Sequence, residues 1–160
     1  MIATANVPHA LKIELGRRYH FAASHRLHSA HLTKEENSRV FGKCNNPFGH
    51  GHNYVLEVNV SGEVDPETGM VANLAELDAF VETAVLEAFD HKSLNEDVPV
   101  FQQKVPTTEN LCIEVYERLK HFPHARLERV RIQETRNNSF EFAGASAAVP
   151  AATVAIKEPR

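Results

Sequence analysis

The chain has 160 residues, 42% hydrophobic and 24% charged, with seven Gly and eight Pro; this suits one globular domain and excludes collagen-like, low-complexity and wholly disordered chains. Lys and Arg number 17 against 21 Asp and Glu, and a net charge of -4, evenly spread, excludes a dedicated nucleic-acid binder. Histidine is the unusual count: there are ten, beside three Tyr and no Trp, and six of them crowd between His20 and His52.

Residues 1–10 read as a loose N-terminal arm without an apolar run of signal-peptide length, and nothing downstream approaches the roughly 20 apolar residues of a membrane span. A cytoplasmic protein that touches no membrane is expected. The folded body is expected over residues 11–142. Its first strand runs from Ile13 to Phe21. A second runs from His52 to Val60, where Tyr54, Leu56, Val58 and Val60 alternate with Val55, Glu57 and Asn59. A helix follows Asn73, with Glu76 completing a capping-box pattern, and Leu74, Leu77, Val81, Val85 and Ala88 form its apolar stripe. A second helix begins near Thr107, after Pro106, and buries Leu111, Val115, Leu119 and Phe122. Leu127–Glu134 and Ser139–Phe142 read as a hairpin turning through Asn137 and Asn138. Residues 143–160, rich in Ala and Pro, read as a flexible tail. This order predicts an α+β fold: two helices on one face of a four-stranded antiparallel sheet. The other face and both edges are left for a polar exterior or a partner, so an oligomer is expected.

His50 and His52 enter the second strand on one face, about 6.6 Å apart along the chain, within reach of a single metal ion. His25, His28 and His31 are the candidates for a third ligand, and spacing does not choose among them. Three His with an open position is the catalytic zinc pattern. Cys44 as a fourth ligand would make a structural site, but paired CxxC or HxxxH halves are absent. Beside a divalent cation and Lys43, Cys44 would favour its thiolate and could act as base or nucleophile. Cys112 falls in an apolar helical pattern and reads as a small buried hydrophobe; both thiols are expected to be free. Asp90 and His91 close the first helix and read as a C-terminal cap unless the chain has already turned into a loop. Glu109 has the reading of a first-turn carboxylate. Glu134 shares a face with Val130 and Ile132 and so needs a partner, for which a guanidine-like ligand edge offering two parallel N–H groups is suited.

Taken together, FAASHRLHSAHLTKEEN, FGKCNNPFGHGHNY, GEVDPETGMVANL, DHKSLNEDVP, TTEN and QETRNN, in that order between Tyr19 and Phe142, resemble the 6-pyruvoyl-tetrahydropterin synthase family. The resemblance implies the tunnelling fold, in which three subunits close a β-barrel and two trimers stack as a homohexamer, with active sites between subunits. It implies Zn2+ held by His25, His50 and His52, leaving His28 and His31 as surface residues. It implies Cys44, Asp90 and His91 as catalytic residues, with Phe89 standing where the family has Leu before the Asp-His pair. Glu134, Glu109, Thr107 and Thr108 would bind the pterin.

The implied reaction converts 7,8-dihydroneopterin triphosphate to 6-pyruvoyl-tetrahydropterin with loss of triphosphate, as in tetrahydrobiopterin biosynthesis. The related 6-carboxy-tetrahydropterin synthases of queuosine biosynthesis use the same substrate and release acetaldehyde. That branch usually has a shorter interval between the Cys and HGH; the five residues between Cys44 and His50 favour the pyruvoyl reaction. Phe48 stands where the family pattern has Asn, Gln133 where Tyr is usual and Arg136 where Asp is usual, departures that bear on substrate detail more than on chemistry. Two other classes compete: a metal- or pterin-binding module without turnover, and a structural zinc protein with Cys44 as fourth ligand.

Overall fold

The computed structural model describes residues 12–145. The expected arm at 1–10 and all but the first residues of the expected tail lie outside the described residues. In chain order the elements are strand β1 (Lys12–His25), helix α1 (Lys34–Phe41), strand β2 (His50–Glu63), helices α2 (Leu74–Val81) and α3 (Glu87–Phe89), strand β3 (Lys92–Ser93), helices α4 (Leu94–Asp97) and α5 (Thr108–Leu119), and strands β4 (Arg126–Gln133) and β5 (Ser139–Phe142). The fold is α+β.

Strands β1 and β2 pair antiparallel along their whole length, from Lys12 opposite Glu63 to His25 opposite His50. β4 pairs with the other edge of β2, and β5 with β4, also antiparallel. The sheet has five strands, not the four expected, in the order β3-β1-β2-β4-β5, and β3 is parallel to β1 at Ala23 and Ser24. A two-residue strand carries no periodic signal, so only tertiary pairing reveals it. β1 also runs four residues beyond the expected Phe21, because its last core-facing position is occupied by His25 in place of an apolar residue.

Helix α1 was not expected from the apolar pattern, since Lys34–Phe41 has apolar side chains only at its end. Its start is fixed by a capping box: Thr33 accepts from the Glu36 backbone N–H while Glu36 accepts from the Thr33 N–H. The capping box expected at Asn73 is half formed. Asn73 accepts from Ala75 N–H, but Glu76 faces His124. A π-helical turn at Glu82–Leu86 joins α2 to α3. The extra residue shifts the apolar stripe beyond it, so Val85 and Phe89 are buried and Ala88 only partly so; Leu74, the first residue of α2, is 41% exposed.

The stripe packs with Leu111, Val115 and Leu119 of α5 onto the sheet face formed by Phe21, Tyr54, Leu56, Val58, Val130 and Ile132. Burial of these side chains from both layers is the main term holding the fold together. The opposite sheet face carries cross-strand ion pairs, Arg18 with Glu57 and Arg129 with Glu14. Among the described residues, β1 has no outer neighbour from Lys12 to Ala22, and β5 has none beyond β4. Among the described residues no helix is long and apolar enough to cross a membrane.

Candidate metal centre and active site

The antiparallel register that sets His25 opposite His50 brings the ends of β1 and β2 together, and His52 follows on the same face two residues on. The three rings lie 4.7 to 5.1 Å apart between centroids, with planes at 74° to 86°, so their nitrogens converge edge-on. One ligand atom from each lies within 4.8 Å of the others. His28 and His31 are exposed and outside the group, so of the three candidates that spacing left open it is His25 that lies with His50 and His52.

His25 is 2% exposed, and its Nδ1–H donates to the Pro106 carbonyl at 2.8 Å. Its Nε2 therefore presents a lone pair toward His50 Nε2, 3.1 Å away. Two metal–nitrogen bonds at a tetrahedral angle set such atoms about 3.3 Å apart. His52 Nε2 is buried and has no hydrogen-bond partner among the described residues. A buried, unpartnered imidazole nitrogen beside two others fits a bound cation. Burial, outweighing the Pro106 bond at His25 and the Glu134 charge at His52, lowers the pKa of both rings and keeps them in the neutral form that ligates metal. Gly49 makes the approach possible: its φ is +67°, and a Cβ there would lie 2.8 Å from the His25 carbonyl oxygen.

Glu134 follows β4 immediately and turns toward this cluster, its Oε1 3.7 Å from His52 Nε2 and 3.9 Å from His25 Nε2. Thr108 Oγ1 donates to Oε1 at 2.6 Å, and Asn138 Nδ2 donates to Oε2 at 2.8 Å. Burial raises the carboxyl pKa, but these two bonds together with the two histidines more than offset it, leaving Glu134 ionised below its usual range. Each oxygen retains acceptor capacity for a further N–H. Thr107 caps α5 by accepting from Asn110 N–H, which positions Thr108 in the first turn. Glu109 is exposed, and its carboxylate has no hydrogen-bond or ion-pair partner among the described residues.

At the end of α3 the chain does leave the helix: Asp90 is extended and His91 has φ 58°. The two side chains meet, Asp90 Oδ2 lying 2.9 Å from His91 Nδ1. Asp90 Oδ1 accepts from the Ala22 N–H at 2.8 Å, and His91 N–H donates to the Ala22 carbonyl, which ties the pair to β1 near the histidine cluster. The Ala22 bond, opposed by burial and helped by His91, holds the Asp90 carboxyl below its usual range. The imidazole is 84% exposed, with Nε2 open to solvent.

Cys44 lies on a 3-10 turn (Gly42–Asn45) pinned to the segment after His25: Leu27 N–H donates to the Cys44 carbonyl, and Asn45 Nδ2 to the Leu27 carbonyl. Its thiol is free and partly exposed, and no hydrogen bond joins it to Asp90 or His91 within the chain. Cys112 is free and buried, as expected.

Four contributors were not singled out by sequence. The Pro106 carbonyl is backbone and has no side-chain signal; Asn138 read only as a turn residue. Gly49 sits inside the GHGH motif. The Tyr54 hydroxyl, on the face of His50 and His52, is buried without a hydrogen-bond partner among the described residues, its ring 5.5 Å from that of His52.

Over residues 14–145 the sequence matches the family model described as 6-pyruvoyl tetrahydropterin synthase. The chain belongs to this family. Among relatives of this 6-pyruvoyl tetrahydropterin synthase family member, the human 6-pyruvoyl tetrahydrobiopterin synthase is 49% identical over 132 residues, covering 82% of this chain and 91% of the human one. The corresponding Pongo abelii protein is 46% identical, over 89% of this chain and 99% of its own. The solved structure of the Caenorhabditis elegans 6-pyruvoyl tetrahydropterin synthase superposes with a TM-score of 0.81 at 43% identity, covering 84% of this chain and 97% of that one. The family resemblance read from the motifs is thus shown, and with it membership of an enzyme family acting on pterins.

Proposed function

We propose that the chain is a zinc-dependent carbon–oxygen lyase that converts 7,8-dihydroneopterin triphosphate to 6-pyruvoyl-tetrahydropterin with loss of triphosphate. The observation that carries this reading is the convergence of His25, His50 and His52 beside the hydrogen-bonded carboxylate of Glu134. A Zn2+ ion bound by the three imidazoles would supply Lewis acidity, stabilising negative charge that develops on the substrate's side-chain oxygens. Glu134, with Thr108 and Asn138 holding its two oxygens, accepts N–H groups from the pterin's amino-pyrimidine edge and sets the side chain toward the histidines. Thr107 and Glu109 belong to the same pterin pocket in this reading. Cys44 takes the proton from the substrate's side-chain carbon. His91, oriented through Nδ1 by Asp90, relays protons from Nε2.

The working form in this reading is a cytoplasmic homohexamer of two trimers, each trimer closing a barrel. The unpaired outer edges of β1 and β5 support it, as does Phe48, which is 96% exposed on the Cys44 loop. Cys44 and the Asp90–His91 pair, unlinked within one chain, would then meet across a subunit boundary.

The test is a product assay on the zinc-loaded protein with dihydroneopterin triphosphate. Release of triphosphate with formation of the 6-pyruvoyl product is expected. Stoichiometric acetaldehyde would assign the chain to the carboxy-type reaction. Cys44→Ala is expected to keep its zinc and lose about 10^2- to 10^4-fold in kcat; release of zinc would make Cys44 a structural ligand, and unchanged turnover would remove it as the base.

A further inference from the structure

A cleft of about 440 Å3 lies against the histidine cluster, sharing His25 and Pro106 with it, and is walled by the segments that follow β1 and precede α5. Arg26 and Lys104 reach it from these two segments, and neither forms an ion pair among the described residues. Glu96 is the one carboxylate in its lining among the described residues, while His28 adds an imidazole. On a chain of net charge -4, two unneutralised cations facing one cleft are an arrangement for an anion.

Arg26 is also held in place. Its backbone N–H donates to Asn95 Oδ1 at 2.7 Å, and its carbonyl accepts from Asn95 Nδ2 at 3.0 Å. Its Nε donates to the Asn45 carbonyl at 3.3 Å, and Nη2 lies 3.5 Å from His28 Nδ1. Only part of the guanidinium is engaged, so N–H groups remain for phosphate oxygens, whose geometry the planar fork matches. The same side chain borders a second depression that contains Lys34, which extends the positive surface away from the histidines.

We propose that this cleft binds a polyphosphate chain, with Arg26 and Lys104 as its charged contacts and His28 as a further donor. Which polyphosphate it is rests on the function proposed above: the triphosphate tail of the pterin, held beside His25 while Glu134 holds the ring. Anchoring both ends of the substrate would spend binding energy on orienting the carbon between them.

Inorganic triphosphate is the probe, titrated calorimetrically into the zinc-loaded wild type and into zinc-loaded Arg26→Ala and Lys104→Ala. Saturable binding that weakens with salt is expected for the wild type, and a loss of about tenfold or more in each variant, the range for a lost charge-assisted contact. Lys104 is exposed and distant in sequence from the zinc ligands, so Lys104→Ala carries the test if Arg26→Ala fails to fold. For the pterin substrate, Lys104→Ala should raise KM in parallel. Triphosphate binding as tight in folded, zinc-replete Lys104→Ala as in the wild type overturns the proposal, as does no binding to the wild type. Binding that the variants lose, without turnover of the pterin triphosphate by the wild type, leaves the cleft assigned and removes the substrate reading.

Discussion

The Nδ1–H of His25 is committed to the Pro106 carbonyl, and this one bond decides that Nε2 faces His50. It links the end of β1 to Pro106, two residues before α5, so the elements that form the core also fix the tautomer of the most buried histidine of the cluster. Removing any of the three imidazoles should therefore remove the metal, whereas the neighbouring histidines are dispensable. His50→Ala is expected to retain little zinc after dialysis, and added zinc should no longer raise its melting temperature as it does that of the wild type. His28→Ala and His31→Ala are expected to match the wild type in zinc content by elemental analysis.

Gly49 sets how closely the two ligand-bearing strand ends approach. Gly49→Ala adds a Cβ that meets the His25 carbonyl oxygen at 2.8 Å, in a backbone conformation, φ +67°, that L side chains rarely adopt. The expected cost is about 1–3 kcal/mol in denaturant unfolding, with weakened zinc binding because His25 and His50 are pushed apart. Gly51→Ala is the control, since its Cβ would lie 3.5 Å from the Ala23 carbonyl, an ordinary contact, and stability should change little.

These cases show which parts of the molecule sequence patterns reach. The helix stripe of Leu111, Val115 and Leu119 and the alternation from Tyr54 to Val60 report burial directly, so α5 and β2 were legible. β3 and the π-helical turn were not, because each is imposed by what packs around it. Within the site, His50 and His52 declared themselves by their period of two. His25 did not stand out from His28 and His31, since its place depends on a long-range register, and only family motifs preferred it. The Pro106 carbonyl and the Ala22 backbone groups have no sequence signature at all.

Arg17 and Tyr19 on β1 both bond Asp78 on α2: the guanidinium donates at 3.0 and 2.7 Å and the phenol at 2.9 Å. The Arg17 bond first, against partial burial and together with Tyr19, lowers the Asp78 carboxyl from its usual 3.8. A folded-state pKa below the unfolded one means the unfolded chain binds more protons in that window, so stability is lost as pH falls. The contribution is complete above pH about 4, the unfolded value, and disappears as pH drops through the lower folded value. Both side chains are partly exposed, so Asp78→Asn should cost at most about 1 kcal/mol at neutral pH. Urea unfolding should show wild type and variant converging below that window; a gap that persists in acid would mean packing, not charge, links β1 to α2 there.

Asp90 performs two tasks with its two oxygens, and an amide can perform only one. In Asp90→Asn, Oδ1 can still accept from Ala22 N–H, so the anchor to β1 survives. The other end becomes an NH2 group facing His91 Nδ1, which must then accept instead of donate, moving the imidazole proton to Nε2. A proton relay that needs a free Nε2 would begin each cycle in the wrong tautomer. The expected result is a loss of about 10^2- to 10^4-fold in kcat with zinc content retained. Nitrogen-15 shifts of the His91 ring report the tautomer independently of turnover, and an unchanged tautomer with lost activity would show that Asp90 acts in some way other than orienting His91.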